Sequence, residues 1–106
     1  LLETKGFAMT ISTHQRDLQF RRKLDGLTYT YHPCEPRQER PAWKREDLDL
    51  WLAWSPSHGW TGFDANNQIL GVPWGLAPAE QGHEPPLGVW VTRKGDKSYV
   101  YDLVQV

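Results

Sequence analysis

Three stretches of this chain alternate at period two around short turn signals, and that pattern restricts the fold more than any other feature of the sequence. Val89, Val91 and Arg93 lead into Lys94, Gly95, Asp96 and Lys97, after which Tyr99, Tyr101 and Leu103 resume the alternation. Successive strand residues point to opposite faces, so such a run, broken at glycine, reads as an antiparallel hairpin. A second hairpin is expected from Trp60 to Ala65 and from Gln68 to Val72, turning at Asn66 and Asn67, which tolerate left-handed backbone. The third joins Leu18, Phe20 and Leu24 to Leu27, Tyr29 and Tyr31 across Asp25 and Gly26. A helix over 13–24, opened by a capping box at Ser12 to Gln15, competes with this hairpin. Its apolar face is poor, because Leu18 lies far around a helix from Phe20 and Leu24, and the hairpin is the preferred reading.

Three hairpins give a mainly β or α+β class. The expected architecture is one small domain whose antiparallel sheet of about six strands curls into a roll or small barrel, with at most one or two short helices. His32 to Pro41 carries three prolines and reads as an extended loop. From Pro41 to Trp54 the pattern suggests a helical first half followed by a strand from Leu48. Pro73 to Gly88 holds four prolines and is expected to be a long ordered loop of the kind that often carries function. Met9 is the only methionine, so residues 1–8 read as a leader segment and 9–106 as a single globular domain.

With 24% charged and 39% hydrophobic residues and a formal charge of −1, the 106 residues fit neither a polybasic tail nor a disordered chain. One cysteine, Cys34, excludes an intrachain disulfide and an all-cysteine metal site. No apolar run approaches the roughly 20 residues that cross a bilayer, and no signal peptide is evident, so a soluble, cytoplasmic protein without membrane contact is expected. Six tryptophans, Trp43, Trp51, Trp54, Trp60, Trp74 and Trp90, exceed what one small core buries with every indole N–H satisfied. One or two should therefore line a groove.

These features point first to a non-enzymatic binding module. Its ligand site is expected at Trp54, His58, Trp60, Trp74 and Trp90 under the 73–88 loop, taking a carbohydrate or a planar small molecule. A second reading rests on charge, since residues 1–45 hold nine Lys/Arg against five Asp/Glu while residues 46–106 hold three against eight. Arg21, Arg22, Tyr29 and Tyr31 would then form a platform for single-stranded nucleic acid, cations on phosphates and rings on bases. A third is a small hydrolase around His58, drawing on Ser57, Asp64, Glu80 or His83, although no nucleophile elbow occurs.

No cofactor or metal is expected. The nearest approach to a ligand set, His32, Cys34 and Glu35, lacks a fourth member, and Gly71 to Gly75 lack the features of a phosphate cradle. The terminal stretch Ser98 to Val106 carries Val100, Leu103, Val104 and Val106 and is poorly defended as a free edge. Its pairing across a two-fold axis into a homodimer is the expected remedy.

Overall fold

The computed structural model describes residues 16–106. Eight strands follow one another: β1 (Leu18–Arg22), β2 (Thr28–Arg37), β3 (Arg40–Arg45), β4 (Leu50–Ser55), β5 (Gly59–Asp64), β6 (Ile69–Pro73), β7 (Gly88–Lys94) and β8 (Lys97–Gln105). Each pairs antiparallel with its sequence neighbour, and β8 returns to β1, giving a closed up-and-down barrel. Among the described residues the only helical element is a 3₁₀ turn at Pro78–Glu80. The expected leader 1–8, Met9 and the expected capping box at 12–15 lie outside the described residues.

The three expected hairpins are β1–β2, β5–β6 and β7–β8. Phe20 faces Tyr29 and Leu18 faces Tyr31 across the first pair, so residues 18–22 form strand and not helix. Its turn is longer than a two-residue Asp-Gly connection, and Leu24 and Leu27 are exposed within it.

Two expectations fail between Pro33 and Trp54, and their failure adds the remaining strands. His32 to Arg37 belongs to β2, and Arg40 to Arg45 is strand where a helix was expected. Proline survives in β2 because β1 stops pairing at Tyr31. Beyond that point the strand needs donors on one side only, and it bulges between Cys34 and Arg37. For β3, neighbours on both sides satisfy the backbone and give Trp43 an inward position opposite Leu52. Closure also corrects the edge argument: β8 has β7 on one flank and β1 on the other, so the terminal strand offers no free edge for a two-fold partner.

The barrel interior divides into a packed end and an open end. At the packed end lie Leu18, Trp43, Leu52, Trp60, Trp90 and Leu103, all buried, with Phe20 edge-on to Trp90 at 5.2 Å and Trp43 edge-on to Trp60 at 6.1 Å. Their indole donors are satisfied. Trp43 donates to the Arg16 carbonyl at 2.8 Å, Trp60 to Gly82 at 3.0 Å and Trp90 to Pro86 at 2.8 Å. Residues 74–87 thus cap this end, and Gln81 strengthens the cap by accepting the Trp60 backbone N–H at 2.8 Å.

Candidate functional site

The opposite end of the barrel is hollow. An eight-stranded barrel has an interior just wide enough for its own side chains or one small ligand, so a cavity there requires small residues at inward positions. Gly62 and Gly71 supply them. They face each other across β5 and β6, Gly62 opposite Leu52 on one side and Gly71 opposite Thr92 on the other. An added Cβ at Gly62 would meet nothing closer than 3.8 Å. The result is a cup of about 440 Å³, within the size range of small-molecule sites.

Its two walls differ chemically. On β4 to β7 stand Leu50, Gly62, Leu70, Gly71 and Thr92 around the hollow, with Asp64, Arg93 and Lys94 at the outer ends of β5 and β7. On β8, β1, β2 and β3 stand four tyrosines and two arginines. Arg22 is the cross-strand partner of Tyr101, and Arg45 is the cross-strand partner of Tyr31. Arg22 lies over the Tyr99 ring at 4.9 Å and Arg45 over the Tyr29 ring at 3.7 Å, stacking that suits a planar guanidinium. Each is fixed by a carboxylate in the adjacent turn, Arg22 to Asp25 at 3.0 and 2.7 Å and Arg45 to Asp47 at 2.6 and 3.1 Å. These side chains are only 18% and 12% exposed.

Titration follows this geometry. The Arg22 guanidinium, helped by the Leu27 N–H, holds the Asp25 carboxyl down to about 2, and Arg45 lowers Asp47 in the same way. Burial pushes the Tyr31 hydroxyl up to about 12, so it keeps its proton through the physiological range. That hydroxyl has no hydrogen-bond partner among the described residues, and Tyr31 itself is only 7% exposed.

The residues singled out in the sequence are placed differently. Trp60 and Trp90 have no exposed surface, so they do not line a surface groove, although Trp90 does close the inner side of the cup. Trp54 is half-buried with its ring edge-on to Trp60 at 6.0 Å, whereas Trp74 is 68% exposed on the capping loop. His58 sits on the exposed β4–β5 turn, where its Nδ1 lies 3.2 Å from Ser57 Oγ and 3.4 Å from Ser55 Oγ. This turn borders an outer notch of about 320 Å³ shared with Trp54 and Arg37. The five do not form a single site.

The hydrolase set is likewise dispersed. Asp64 Oδ1 accepts the Asn66 and Gln68 backbone N–H groups, and Glu80 accepts that of Ala77, so both carboxylates serve their own turns. Of the nucleic-acid set, Arg22, Tyr29 and Tyr31 line the cup together, while Arg21 is exposed and bonds Gln19. On the outer face, Arg37 covers the stacked pair Trp51 and Phe63 at 5.1 Å from each ring, while at the packed end Arg40 covers Trp54 at 3.9 Å. His32 is held between Asp17 at 2.9 Å and Glu46 at 2.8 Å, apart from any cluster of metal-ligating groups among the described residues.

Arg45, Leu50, Gly62, Tyr99 and Tyr101 escaped the sequence reading as site residues. The alternation places the tyrosines on one face and the turn at Asn66 and Asn67 sets Gly62 opposite Gly71, but only the register shows that Arg45 shares this face. Known proteins add nothing to the geometry: no family model, curated protein or solved structure matches the chain.

Proposed function

We propose that the protein is a barrel-enclosed binding module for a small molecule, with the ligand seated in the cup. The observation that carries this reading is the cavity of about 440 Å³ between an apolar wall hollowed at Gly62 and Gly71 and an aromatic wall of Tyr29, Tyr31, Tyr99 and Tyr101. Cores are normally filled to crystal-like density, and voids carry an energetic cost. A hollow kept beside a tightly packed tryptophan core therefore suits occupancy better than a packing role. The tyrosine rings favour a flat or aromatic body.

Binding of naphthalene-2-carboxamide to the wild-type protein and to Gly62→Leu tests the reading by titration calorimetry. The leucine side chain fills the cup from a position with open space. The expected result is saturable binding to the wild type and at least about a ten-fold loss in the variant, with the fold intact by circular dichroism. Equal binding to both proteins would place the ligand elsewhere.

A further inference from the structure

Resting on that reading, we infer that the cup takes a ligand with a single carboxylate head, held between Arg22 and Arg45, and an apolar body laid against the Gly62 and Gly71 side. Charged groups stand around the rim of the cup, Arg22 on β1, Arg45 on β3, Asp64 on β5 and Arg93 and Lys94 on β7, but tyrosines back only the arginines of β1 and β3. The four adjacent strands β8, β1, β2 and β3 carry two Arg–Tyr cross-strand pairs, Arg22 with Tyr101 and Arg45 with Tyr31, while the hollow lies on the facing strands.

The donors are fixed before the ligand arrives. Asp25 and Asp47 use Nε and Nη2 of their arginines and leave Nη1 of each outside the clamp, and the tyrosine faces hold both guanidinium planes. Such preorganised forks match a carboxylate and lose little side-chain freedom on binding. The buried Tyr31 hydroxyl, a donor without a partner among the described residues, stands beside Arg45 and supplies a third hydrogen bond.

Charge sets the valence of the head. Arg22, Arg45, Arg93 and Lys94 line the cup against Asp64, and the two clamping carboxylates bring the negative groups to three. Four cations against three anions leave one positive charge for the ligand to neutralise, so a monoanion is matched and a neutral ligand leaves the site unbalanced.

The test is calorimetric titration with an isosteric pair, 2-naphthoate and naphthalene-2-carboxamide, near neutral pH. The wild-type protein is expected to bind the carboxylate about ten-fold tighter or more. Arg45→Gln should bring the ratio to within about two-fold, and Tyr31→Phe, which removes one oxygen and keeps the ring, should lower it by about three-fold. A wild-type ratio near one, or a ratio unchanged in both variants, overturns the carboxylate assignment and leaves the cup in place. If neither probe binds, the cup reading falls with it.

Discussion

Gly62 and Gly71 face each other on the barrel wall and respond differently to substitution. Glycine inside a strand costs about 0.5–1 kcal/mol relative to alanine, and at Gly62 an added methyl enters open space. Gly62→Ala is expected to raise stability by about that amount. A Cβ at Gly71 would lie 3.0 Å from Thr92 Cγ2, so Gly71→Ala should give no gain or a loss, and urea denaturation of the two variants separates them. At the packed end, Trp60→Ala removes a fully buried indole together with its bond to Gly82, and should cost about 3–5 kcal/mol in the same assay. The sequence carried half of this information. Alternation assigned Trp60 and Gly62 to one strand, and a two-residue turn at Asn66 and Asn67 sets Gly62 opposite Gly71; the bulge between Gly62 and Phe63, which no local pattern announces, shifts only the pairing nearer the turn.

Elements are tied to the barrel through a few identifiable contacts. Gln81 holds the 74–87 cap by accepting the Trp60 N–H and donating to the Leu76 carbonyl, so Gln81→Ala leaves a buried donor unpaired. The expected cost is about 1–3 kcal/mol, with faster hydrogen exchange at the Trp60 amide. His32 links the entry to β1, the strand β2 and the β3–β4 turn through Asp17 and Glu46, which raise its pKa above the usual histidine value. A raised folded pKa means the contribution is complete below about pH 6.5 and is lost as pH rises through the raised value. His32→Gln should therefore narrow a melting-temperature difference between pH 5.5 and pH 8.5 that the wild type shows, the effect being modest for exposed groups. The hairpins were legible because glycine, asparagine and aspartate mark turns by their own conformational preferences. β3 and the far half of β2 were not, because prolines at 33, 36 and 41 argue against strand locally, and only the missing β1 neighbour and the bulge make them tolerable.

At the scale of the whole molecule, stability depends on closure. Removing residues 98–106 would unpair β1 and β7 together, and such a truncation should show no cooperative unfolding transition by tryptophan fluorescence, in contrast to the full chain. The same closure separates a tryptophan-packed end from a hollow one and pairs Lys23 with Asp102 at 3.0 Å. Six indole N–H groups report from distinct places on this architecture, which makes an ¹⁵N-resolved NMR titration with 2-naphthoate the most direct test of the cup. A ligand in the cup should shift the Trp90 indole and the amides of Gly62, Gly71 and Thr92, with the Trp51, Trp54 and Trp74 indoles unmoved. Shifts confined to Trp51, Trp54 or Trp74, with Trp90 and the two glycines unaffected, would contradict that placement.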